Sequence, residues 1–136
     1  MAYNRIVAKD FPIQFVAGDT EYIRLNIKDD AGNIIDVSSN VTVRLGIKKY
    51  KADDKFIVPE IIGATYAYNA TTQKYTIEFA LSSADTIALL NYGGKRRNLL
   101  KCFYDIEMHE VRQGVDERTT LLAGTLQVAR SLSGAV

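Results

Sequence analysis

From Leu100 to His109 every second residue is apolar, with Leu100, Cys102, Tyr104, Ile106 and Met108 on one side, while Lys101, Phe103, Asp105, Glu107 and His109 form the other, polar except for Phe103. A period of two belongs to an extended strand with one face buried, and it excludes a helix, whose apolar positions recur every three or four residues. The same pattern returns elsewhere. Ile23, Leu25 and Ile27 oppose Tyr22, Arg24, Asn26 and Lys28, and Val41, Val43, Leu45 and Ile47 oppose Thr42, Arg44, Gly46 and Lys48. Phe11, Ile13 and Phe15 begin the series. A chain built this way must bury strand faces against one another, so it folds as sheets around a shared core.

Turn formers separate the runs. Ala17-Gly18-Asp19-Thr20 and Asp29-Asp30-Ala31-Gly32-Asn33 are two such breaks, and Lys49 to Lys55 reads as a charged loop. Phe56-Ile57-Val58 before Pro59 suits a short edge strand, because proline has no N–H for a central ladder. Tyr66 and Tyr68, a loop over 69–73, and a return through Tyr75, Ile77, Phe79 and Leu81 make a hairpin. Ser82-Ser83-Ala84-Asp85 offers a helix cap with an acid in the first turn, and Ile87 and Leu90 continue it as one short helix ended by Tyr92-Gly93-Gly94. The strand from Leu100 is the longest. A loop from Gln113 to Glu117 follows, then a last strand over Thr119 to Val128, in which Leu121-Leu122-Ala123 blurs the inward face. Seven or eight short strands with one inserted helix predict a mainly β fold, an antiparallel β-sandwich with Greek-key connections. The Cys, Trp, Cys pin of antibody domains is missing. Residues 11–130 form the expected domain, with an N-terminal arm over 1–10 and a tail over 131–136.

The 136 residues suffice for one core that buries roughly two-thirds of the unfolded surface. With 17 Lys plus Arg against 16 Asp plus Glu, the net charge of +1 lacks the basic excess of sequence-independent nucleic-acid binding. One cysteine excludes an internal disulfide. No apolar stretch approaches the roughly 20 residues of a membrane span, and the first ten residues are too polar for a secretory signal. The chain is expected to be made in a cytoplasm and to act without a membrane.

Few residues offer chemistry. His109 is the one histidine, and it lies on the polar side of a strand with no GxSxG-type nucleophile in the sequence. Cys102 falls in the apolar register, where a thiol behaves as a small hydrophobe. Asp29, Asp30 and Asn33, or Asp53 and Asp54, lack EF-hand spacing and read as acidic turns. Asp105 and Glu107 share one strand face instead of facing each other across a cleft, so they do not form a glycosidase pair. No metal, cofactor or enzymatic activity is therefore expected. Two basic groups, Lys48, Lys49, Lys51 and Lys55, then Lys95, Arg96, Arg97 and Lys101, read as solvated loops. Loop tyrosines, among them Tyr66, Tyr68 and Tyr92, suit protein interfaces, stacking on a glycan, or cross-strand pairing.

Phe15-Val16-Ala17-Gly18-Asp19-Thr20, then Asp29-Asp30-Ala31-Gly32-Asn33-Ile34-Ile35-Asp36-Val37 and Val41-Thr42-Val43-Arg44, resemble the start of small Ig-like tailed-phage virion domains. The N-terminal domain of siphophage baseplate upper proteins is one of them. Ser82-Ser83-Ala84-Asp85, Tyr104-Asp105-Ile106-Glu107 and Leu121-Leu122-Ala123-Gly124-Thr125-Leu126-Gln127-Val128 extend the similarity to about Phe11 through Val128. The resemblance implies an Ig-like β-sandwich in a structural virion protein, an adaptor, collar, baseplate or fibre-anchoring subunit assembled in the bacterial host cytoplasm. Its implied partners are other virion proteins and further copies of itself. Tyr3, Ile6 and Val7 in the arm, with Tyr66, Tyr68, Tyr92, Arg96 and Arg97, are the expected interface residues. The alternative is a carbohydrate-binding or host-adhesion module that uses the loop tyrosines.

Overall fold

Alternation in the sequence becomes backbone pairing in the computed structural model, which describes residues 11–28, 31–37, 41–69, 71–72 and 75–131. Eight strands and one helix follow in order: β1 Ile13–Val16, β2 Glu21–Leu25, β3 Val41–Lys48, β4 Ile61–Ile62, β5 Ala64–Thr65, β6 Ile77–Leu81, α1 Ser83–Leu90, β7 Leu99–Arg112 and β8 Val115–Ala129. A five-stranded sheet runs β1-β8-β7-β3-β4, and a three-stranded sheet runs β2-β6-β5. The chain is mainly β, as expected, but the larger sheet is mixed, because β1 lies parallel to β8. These are the first and last strands, so no hairpin forces them to run in opposite directions.

The two sheets meet at Gly63. β4 pairs with β3, Gly63 N donates to Val43 O at 2.8 Å, and β5 then pairs with β6, so the chain passes from one sheet to the other and the whole curls as a half-barrel. Only glycine fits this corner. An added Cβ would stand 2.8 Å from Ile77 Cγ2 and 3.0 Å from Phe79 Cε1 in the packed core.

The core follows the sequence periods. Val43, Leu45 and Ile47 of β3, Leu100, Cys102, Tyr104, Ile106 and Met108 of β7, and Ile77, Phe79 and Leu81 of β6 are buried. Burial of each large side chain contributes roughly 1.5–3 kcal/mol. Helix α1 packs against strands of both sheets and adds Leu89 and Leu90 to the core. It starts on a reciprocal cap, with Asp85 N donating to Ser82 Oγ at 3.1 Å and Ser82 N donating to Asp85 Oδ2 at 3.0 Å. Thr86 Oγ1 accepts from Gly18 N and donates to Asp19 O, which fastens the β1–β2 turn to the helix.

Three local expectations change. Phe56-Ile57-Val58 is not a strand; the edge strand is β4, beyond Pro59, and Ile57 contributes a single bond to Ile47 O. Tyr75 is exposed and precedes β6, where Ile77 begins the buried register. The β7–β8 connection is a two-residue turn, Gln113-Gly114, both at positive φ, so pairing starts at Arg112 with Val115 and β8 exceeds β7 by one residue. Leu121 is an extra residue between the pairs Ile106–Leu122 and Glu107–Thr120, a β-bulge that explains the blurred face of the last strand.

Candidate functional site

The outer face of β3, β7 and β8 carries a trough of about 810 Å³. Cross-strand register builds it rung by rung: Thr42–His109–Arg118, Arg44–Glu107–Thr120, Gly46–Asp105–Ala123 and Lys48–Phe103–Thr125. The third rung is the low point, since Asp105 stands between two residues with almost no side chain. The loop after β3 folds back over this rung, where Phe56 takes the space above Gly46, and a Cβ there would meet its ring 2.5 Å away.

Charges of both signs line the walls. His109 Nε2 lies 2.6 Å from Glu107 Oε1, and Arg118 Nε lies 3.1 Å from Asp116 Oδ2. Lys48 and Lys51 set their ammonium groups 5.1 Å from the ring centres of Phe56 and Phe103. Arg44 reaches Glu60 only at 3.9 Å, and its buried Nε has no hydrogen-bond partner among the described residues. Burial first, then the neighbouring Glu107, raises the Asp105 carboxyl above its ordinary pKa, against the pull of Lys48. The arrangement can hold a polar or mixed-charge segment by ion pairs and hydrogen bonds. Among the described residues, no group of three or more His, Cys, Asp or Glu side chains is placed to hold a metal ion.

The residues singled out from the sequence lie elsewhere. Tyr66 and Tyr92 are exposed, Tyr68 is half-buried, Arg96 is exposed, and none of the four lines the trough. Arg97 is tied into the fold: its Nη1 donates to Leu90 O at 3.2 Å and Tyr92 O at 2.9 Å, closing the end of α1, and its own carbonyl accepts from Arg130. Tyr3, Ile6 and Val7 lie outside the described residues. Sequence reasoning missed Arg44, Phe56, Glu60 and Arg118 as members of one surface. The available signal was Gly46 in the polar register of a long strand, since such a glycine marks a close approach.

A scan against models of protein families finds none that matches the chain, and a search of curated proteins finds no match.

Proposed function

We propose that the chain is a structural subunit of a tailed-phage virion, with an Ig-like domain that works through protein–protein contacts as an adaptor, collar, baseplate or fibre-anchoring part. The observation that carries this reading is the β7–β8 hairpin. Its described pairing with β3 ends at Glu110, and the rungs beyond hold Val111 and Val115, 64% and 60% exposed. Exposed β-branched residues at the end of a long two-stranded ribbon suit a neighbour's surface better than water. The resemblance of the Gly18-Asp19-Thr20 and Asp30-Ala31-Gly32 segments to virion domains supports the same reading.

Replacement of both tip valines tests it, as Val111→Asp with Val115→Asp. Both are solvent-exposed, so the variant should keep its melting temperature while it fails to co-sediment with particles from infected cells. Co-sedimentation equal to wild type would refute a role for the hairpin in assembly.

A further inference from the structure

Several charged side chains along the trough already have a counter-charge: His109 takes Glu107, Arg118 takes Asp116, and Arg44 approaches Glu60. Asp105 has neither an ion pair nor a hydrogen bond from its side chain among the described residues, although it is exposed at the low point of the floor. Glu107 and Glu60 oppose its ionisation, and only Lys48 pulls the other way. A cation brought to Asp105 would therefore relieve a like-charge repulsion that the fold leaves standing.

The uncommitted cations gather one rung away. Lys48 lies opposite Phe103, and Lys51, from the loop after β3, stands over the Phe103 ring. Neither ammonium has an ion-pair partner among the described residues. Phe103 and Asp105 are two positions apart on β7, so the basic rung and the acidic one are offset by about 7 Å. An extended polypeptide repeats its same-face side chains at that same interval. A segment laid along β7 with a basic residue over Asp105 thus brings an acidic residue, two positions away, over the Lys48–Phe103 rung. Phe56 closes the Asp105 rung on the β3 side, while Ala123 leaves room on the β8 side for a guest side chain. At about 810 Å³ the trough falls in the range of ligand sites, roughly 300–1,000 Å³. Single-stranded nucleic acid fits less well, because its phosphates would meet Asp105, Glu107 and Glu60 along with the lysines.

We propose that the trough binds an extended segment of a partner protein that carries a basic and an acidic residue two positions apart, the basic side chain pairing with Asp105 and the acidic one with Lys48 and Lys51. The site is separate from the hairpin tip and does not rest on the virion reading.

Amide NMR of the isotope-labelled full chain, titrated with capped seven-residue peptides, tests the proposal. One peptide has arginine and glutamate two positions apart among threonines; a second has the same composition with the two adjacent, so that they point to opposite faces. The first should shift the amides of Gly46, Phe103, Asp105 and Ala123 to saturation, and it should bind at least about threefold more tightly than the second. Asp105→Asn, at an exposed position, should weaken the first peptide at least about threefold, as should Lys48→Gln combined with Lys51→Gln. Asp105→Lys should weaken it at least about tenfold, because repulsion replaces attraction. Equal affinity for the two peptides, binding unchanged by these variants, no saturation up to millimolar peptide, or tighter binding of a thymidine oligonucleotide would each overturn the proposal. Co-sedimentation with particles is read separately, so a chain that joins particles but ignores the peptides removes this site and leaves the virion reading standing.

Discussion

Two side chains on opposite faces of β7 show what environment does to a titrating group. Cys102 points into the core, where its Sγ lies 3.5 Å from Leu126 O, and burial pushes its thiol pKa up to about 12 against a small opposing pull from Lys49. So high a pKa leaves far less thiolate at pH 8 than an exposed cysteine holds. A thiol reagent at pH 8 should therefore label native protein at least about a hundredfold more slowly than denatured protein, and comparable rates would show that the thiol is accessible. Asp105 faces outward but is also raised, by burial and by Glu107. Because the folded carboxyl is raised, its ionisation opposes folding at neutral pH, and that penalty begins to fall as pH drops through the folded pKa and is gone below the unfolded one. Asp105→Asn should thus raise the melting temperature at pH 7, and the gain should vanish in acid. An equal gain at both pH values would assign the effect to packing.

At the scale of elements, the helix and the sheet corner each depend on one small residue. Ser82→Ala removes the side-chain half of the cap on α1 and should cost about 1 kcal/mol in denaturant unfolding. Gly63→Ala drives a methyl into Ile77 and Phe79 inside the core, whereas Gly46→Ala meets the ring of the partly exposed Phe56, which can swing away. The first should cost about 1–3 kcal/mol and the second less. Equal costs would mean that Phe56 is as firmly held as the core. Strand existence was legible from the period of two in β2, β3 and β7, and the Ser82 to Asp85 spacing announced the helix. The parallel β1–β8 pair was not legible, because the period of a strand records which face is buried and says nothing of its neighbour's direction. The bulge at Leu121 showed only as a disturbed pattern. The trough stayed hidden for a similar reason: Arg44, Glu107 and Arg118 come together through register between strands, and Phe56 through the path of a loop. Neither is written in local spacing.

At the scale of the whole molecule, the two sheets enclose one core with α1 packed against strands of both, while the polar trough and the hairpin tip lie on or beside β7 and β8. The two longest strands therefore carry a large part of the core together with the trough and the exposed hairpin tip. Such a division suits a building block, whose contacts can vary on a constant scaffold. The alternative, glycan binding through Tyr66 and Tyr68, uses the segment between β5 and β6 and needs neither the hairpin tip nor the trough. The most direct test of a virion role is quantitative mass spectrometry of purified phage particles from the host that produces this chain. The expected result is the chain at a fixed, reproducible copy number relative to the major tail or head proteins. Particles that are complete and infective without the chain would contradict the account.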